Sequence, residues 1–127
     1  MRIDGFDHIV LTTADLDACL AFYEGLLGMR AEEKDGRYSL FFGTQKINLH
    51  TRPAEFLPAA AYPLAGSLDL CFMAEGDAEA AYAELASKGA PLVLDVVSRH
   101  GARGEMKSIY LRDPDGNLVE LGFYEEA

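Results

Sequence analysis

The chain repeats itself. A strand-like run carrying one ligand-type side chain, His8, leads into a helical stretch and then into further strands that close on His50. The same order restarts at Asp69 and closes on Glu120. His8 and Asp69 are 61 positions apart, as are Gly28 and Gly89, each just past a helical pattern. The closing pair is 70 apart, so the second copy carries about nine extra residues in its later half. A unit of this length is one supersecondary motif that cannot bury its apolar face alone, so the repeat decides the architecture.

Within the first copy, residues 5–12 alternate as a strand, with Ile9 and Leu11 on one face and Phe6, His8 and Val10 on the other. Asp15 is placed to cap a helix running to about Leu27. Leu16, Leu20, Tyr23 and Leu27 form its apolar stripe, and Gly28 stops it. Strands are predicted over 29–34, 37–42 and 45–51, the first two joined by an Asp35-Gly36 hairpin. Residues 53–65, with three prolines and several alanines, read as a linker whose apolar content packs against something. In the second copy a strand around 67–72 precedes a helix, Ala78–Ser87, capped by Asp77 and stopped by Gly89. A strand from Pro91 to about Val97, an exposed loop over Ser98–Gly104, and strands over 106–112 and Leu118–Tyr124 follow. Asp113-Pro114-Asp115-Gly116-Asn117 is a specific turn signal between the last two. Each copy therefore reads βαβββ. The expected fold is α+β, with eight strands forming a curved mixed sheet or open barrel around a metal-binding cup. It is one domain, 1–127, of two modules at about 4–52 and 66–125.

Period-two alternation places His8, His50, Asp69 and Glu120 each on the face opposite the main aliphatic set of its strand. Glu120, between Val119 and Leu121, is costly there unless solvated, paired or metal-bound. Two imidazoles and two carboxylates suit Ni, Zn, Mn, Co or Fe(II) with open positions left over. Without Asp69, the remaining three are a 2-His-1-carboxylate set, the ligand type of non-haem iron oxygenases. Cys19 reads as a small core residue, and Cys71 as a wall residue two positions from Asp69.

The net charge of −10 excludes nucleic-acid backbones as partners. No apolar run reaches the roughly 20 residues of a membrane helix, so no membrane partner is expected. The N-terminal residues lack a signal-peptide pattern, and cytoplasm is the default expectation. Against the acidic background, Arg99, His100, Arg103 and Lys107 cluster in the extra length of the second copy. Their plain reading is solvated loop charge. Their sharper reading is a positive lip that binds an anionic substrate.

Phe6-Asp7-His8-Ile9-Val10-Leu11, the helix with Ala21-Phe22-Tyr23 ending Leu26-Leu27-Gly28, the strand Ile47-Asn48-Leu49-His50, and Asp113 through Leu121 together resemble the vicinal oxygen chelate superfamily. That superfamily includes glyoxalase I, fosfomycin and bleomycin resistance proteins and extradiol dioxygenases, and the chain is most similar to its small single-domain glyoxalase-like members. The resemblance implies paired βαβββ modules, a divalent metal held by His8, His50, Asp69 and Glu120, and a homodimer. Asp69 departs from the pattern, since metal-binding relatives commonly have His there. The leading expectation is a metal-dependent lyase or isomerase of glyoxalase type, with Glu120 and Asp69 as catalytic carboxylates acting on a small oxygenated substrate. The alternatives are an Fe(II) extradiol-type dioxygenase, a fosfomycin-type addition enzyme, and a bleomycin-type binding protein without turnover.

Overall fold

In each half of the chain the first strand lies parallel to the fourth, and two antiparallel pairings complete a four-stranded mixed sheet. The computed structural model describes residues 1–125 and contains two units, Met1–Ser67 and Leu68–Ala127. The first holds β1 (His8–Thr12), α1 (Leu16–Leu20), β2 (Arg30–Lys34), β3 (Arg37–Phe42) and β4 (Gln45–His50), with sheet order β1-β4-β3-β2. The second holds β5 (Asp69–Met73), α2 (Ala78–Ser87), β6 (Val97–Gly101), β7 (Gly104–Arg112) and β8 (Leu118–Tyr124), with order β5-β8-β7-β6. The α+β class and the duplicated βαβββ pattern are as expected; the two sheets are open, not closed into a barrel. Among the described residues no helix is long and apolar enough to cross a membrane.

Local chemistry explains most of the elements. Asp15 and Asp77 accept from the backbone N–H of Ala18 (3.1 Å) and Ala80 (2.9 Å), capping the two helices at their expected starts. Gly28 and Gly89 take positive φ, 77° and 72°, at their ends. The Asp35-Gly36 pair takes φ of 54° and 79°, the mirror-image turn that matches strand twist. The first helix differs from its expected form. After Leu20 it continues as a π-helical segment, Ala21–Leu26. Cys19, Phe22 and Tyr23 are buried, while Leu16, Leu20 and Leu27 are only partly covered.

The register shows why each sheet has one apolar face. Ile9, Ile47 and Leu40 lie side by side across β1, β4 and β3, with Leu11 beside Leu49. In the second unit Ile109, Leu111 and Val119 are buried, and α2 contributes Ala78 and Leu85. Each fully buried aliphatic side chain contributes about 1.5–3 kcal/mol. The segment after β4 belongs to the first unit, where Phe56 packs its ring against His50 at 5.2 Å between centroids.

One expected strand is displaced. Residues 91–96 make only an isolated bridge, Leu92 to Leu111, and the strand is instead Val97–Gly101, inside the stretch expected to be a loop. β6 is an outer strand paired only to β7, and its backbone ladder needs no apolar side chains. Ser98, Arg99 and His100 thus form strand despite their polarity.

Candidate functional site

The strand register assigns every candidate side chain to a face. In the first unit His8 lies opposite Lys46, Val10 opposite Asn48, and Thr12 opposite His50. In the second, Asp69 lies opposite Leu118 and Cys71 opposite Glu120. All four ligand candidates occupy the polar face of their sheet, as alternation requires. The register also corrects the repeat. The position that matches Glu120, two pairs beyond the opening residue, is Asn48; His50 is two residues further on.

This shift separates the imidazoles. His8 and His50 stand four pairs apart on parallel strands, roughly 13 Å at the usual rise per residue. Donors to one ion at about 2.1 Å lie within roughly 4 Å of each other. The first unit therefore does not bring His50 to His8. His50 sits at the buried end of the sheet, 8% exposed, with its backbone carbonyl accepting from Thr13 N–H at 2.8 Å and its Nδ1 without a hydrogen-bond partner. Among the described residues no three His, Cys, Asp or Glu side chains are grouped to hold an ion.

Two candidates are held by outer partners. The Asp7 carboxylate lies 2.8 Å from His8 Nδ1, an arrangement that leaves Nε2 as the donor nitrogen. The hydrogen bond to His8, together with its charge, holds the Asp7 carboxyl below its ordinary value. In the second unit the Ser108 hydroxyl, fully buried, donates to Oε2 of half-buried Glu120 at 2.6 Å. Cys71, on the adjacent strand, has its thiol pushed up to about 11, by burial first and then by Glu120 and Asp69. Asp69 is exposed.

The signature turn positions both carboxylates. Asp113 Oδ1 accepts from the backbone of Asp115 (3.0 Å) and Asn117 (2.9 Å), and Asp113 Oδ2 accepts from Asn117 Nδ2 at 2.7 Å. Asn117 Oδ1 in turn accepts from Leu68 N–H at 2.9 Å. The turn thereby ties the residue before Asp69 to the start of the strand that carries Glu120.

The basic lip divides between faces. Arg99 shares the face of Glu120; its Nε donates to the Tyr110 hydroxyl at 3.1 Å, and Tyr110 lies opposite Glu120. Arg103, in the hairpin between β6 and β7, stacks on the Tyr124 ring at 4.5 Å. Lys107 and His100 have the other parity, with Lys107 opposite Phe123 and bonded to Ser98 Oγ at 3.0 Å. The structure thus puts Arg99 with Glu120 and sets Lys107 and His100 on the opposite face.

Several polar residues were not singled out from the sequence. Asn48 lies beside Ser39, whose hydroxyl donates to Asn48 Oδ1 at 2.9 Å. Arg30, Lys34, Arg37 and Lys46 share the face of His8. Extending the alternation from His8 and His50 through residues 30–34, 37–41 and 46–50 would have found them.

A family model described as the Glyoxalase/Bleomycin resistance protein/Dioxygenase superfamily matches residues 5–121. The chain is 46% identical over 125 residues, 98% of its length and 87% of the relative's, to the virulence protein STM3117 of Salmonella typhimurium. The crystal structure of that protein superposes with a TM-score of 0.94 at 45% identity, covering 98% of this chain and all of the other. This chain is 42% identical over 127 residues, all of its length and 72% of the relative's, to the glyoxalase domain-containing protein RDO1 of Mycosarcoma maydis. A lactoylglutathione lyase from Agrobacterium tumefaciens has a TM-score of 0.74 at 26% identity, covering 97% of this chain and 96% of that one.

Proposed function

We propose that this chain, which belongs to the Glyoxalase/Bleomycin resistance protein/Dioxygenase superfamily, is a divalent-metal enzyme moving a proton on a small oxygenated substrate, a lyase or isomerase of glyoxalase type. The observation that carries this reading is that His8 and Glu120 each have an outer polar partner, Asp7 and Ser108. Metal-ligating side chains are held in this way, and a solvated surface carboxylate has no need of a buried serine donor.

The residues that would donate in this reading are His8, Asp69 and Glu120; among the described residues they do not form a ready-made group, so the ion itself would have to gather them. One imidazole and two carboxylates fit Ni, Zn, Mn, Co or Fe(II). His50 is left out because the register carries it away from His8. The same separation counts against the iron dioxygenase reading, which needs both imidazoles on one ion. The working assembly in this reading is a homodimer.

A bound divalent ion would polarise adjacent substrate oxygens and acidify the neighbouring C–H. Glu120 takes the proton from carbon: Ser108 fixes its carboxylate, the orientation a general base requires. Glu120 then returns that proton at the second carbon, while Asp69, exposed on the same face, carries the hydroxyl proton from one substrate oxygen to the other. Arg99 and Arg103 hold an anionic part of the substrate.

The test is metal analysis of purified protein followed by α-proton exchange in D2O across a panel of hemithioacetals. The expected result is stoichiometric divalent metal and deuterium incorporation that Glu120→Gln removes. Protein that binds no divalent ion, and catalyses no exchange with any of them added, overturns the reading in favour of binding without turnover.

A further inference from the structure

The polar face of the first unit gathers cations that the proton transfer above does not use. We infer that this face binds the anionic head, carboxylate or phosphonate, of a small molecule with a planar body. The inference rests on the proposed function only in making that molecule the substrate; binding of the anion itself needs no metal.

Charge is the first argument. Acidic residues outnumber basic ones 21 to 11 in this chain. Even so, the register sets Arg30 and Lys34 of β2, Arg37 of β3 and Lys46 of β4 on one face. Arg30 pairs with Glu32. Among the described residues no ion pair engages Lys34, Arg37 or Lys46. Lys34, Arg37 and Lys46 outnumber the carboxylates that line the same cavity, Asp35 and the Arg30-paired Glu32, and so form a local positive field for an anion.

Shape is the second. Those three cations line a cavity of about 920 Å³ within the first unit, in the size range of small-molecule sites. Its floor supplies neutral donors. The Ser39 hydroxyl occupies Asn48 Oδ1, which leaves the Asn48 amide hydrogens for a ligand. His50 lines the same cavity, and its buried Nδ1 has no partner, an unmet polar group of the kind that marks a ligand position. Phe56 supplies a wall for a planar body. Its ring is held between the Arg37 guanidinium at 3.8 Å and the His50 ring at 5.2 Å.

The experiment uses the 127-residue chain stripped with EDTA and titrated with benzoate and with phenylphosphonate, benzamide serving as the neutral control, followed by amide NMR. Saturable shifts at Ser39, Asn48, His50 and Phe56 are expected with the anions and not with benzamide. The tighter of the two probes identifies the head group. Loss of one charge-assisted contact in Lys46→Gln weakens binding by about tenfold. Arg37→Gln is the second variant, with the amide spectrum as the fold check, and Lys88→Gln, just past the end of α2, leaves binding unchanged. Absence of saturable shifts, shifts confined to the second unit, or equal binding of benzamide overturns the inference. So does full affinity in both Lys46→Gln and Arg37→Gln. Because the titration is metal-free, its failure leaves the metal and exchange results standing, and their failure leaves the anion site standing.

Discussion

The Ser108 hydroxyl reaches across from β7 to Oε2 of Glu120 on β8, 2.6 Å away, from a position with no solvent exposure. A donor so placed fixes which way the carboxylate faces. Replacing Ser108 with Ala is expected to weaken divalent-metal affinity by about 10- to 100-fold, the usual effect of losing an outer partner. Calorimetric titration with Ni, Zn and Mn on folded protein measures it, and an unchanged affinity would remove the support for Glu120 as a ligand.

Asp7 plays the matching part for His8. Asp7→Asn keeps the shape but removes the negative charge that favours a basic Nε2. Metal affinity is expected to fall by about tenfold, with stability nearly unaffected because both side chains are largely exposed. Parallel calorimetry and thermal denaturation separate the two quantities.

Asn117 is buried and bonds on one side to Asp113 and on the other to Leu68 N–H. Asn117→Ala leaves the Leu68 N–H and one Asp113 oxygen without this partner. The expected loss is about 2–3 kcal/mol of stability, read as a lower midpoint in urea with the slope unchanged.

Glu55 holds the segment that places Phe56. Its carboxylate accepts from Thr51 N–H at 2.9 Å and Thr51 Oγ1 at 2.8 Å, and these bonds keep its carboxyl below the ordinary value of 4.5. A depressed carboxyl contributes fully above the unfolded value, and its contribution is lost as pH falls through the folded one. The segment is therefore expected to stay in place at pH 5 and loosen only below the ordinary Glu range. A carboxyl-carbon NMR titration of Glu55 checks this, and titration at or above 4.5 contradicts it.

How much of this was legible depended on how local the cause was. The helix Ala78–Ser87 and the strand Leu118–Tyr124 lie where the sequence puts them, because an Asp cap, a Gly stop and the Asp113–Asn117 turn are short-range chemistry. The face of each ligand candidate was legible too, since alternation needs no partner strand. What failed needed pairing. The equivalence of Glu120 with Asn48 rather than His50 depends on how β4 and β8 align with their parallel neighbours, and inter-strand register is not written in either strand alone. β6 was missed because an outer strand is stabilised by its neighbour's backbone. The first unit's cations were overlooked because they are scattered over three strands, whereas Arg99, His100 and Arg103 draw notice by being contiguous.

The placing of β1 and β5 at the outside of their sheets has a consequence during synthesis. A nascent chain that has cleared the ribosome only as far as Ser67 can complete its own four-stranded ladder, but β1 still shows one unpaired rim, with Phe6 and Val10 in solvent. Asp7 and His8 beside that rim act as gatekeepers. Replacing them with apolar residues is expected to make this rim pair with other copies and the emerging chain prone to clumping.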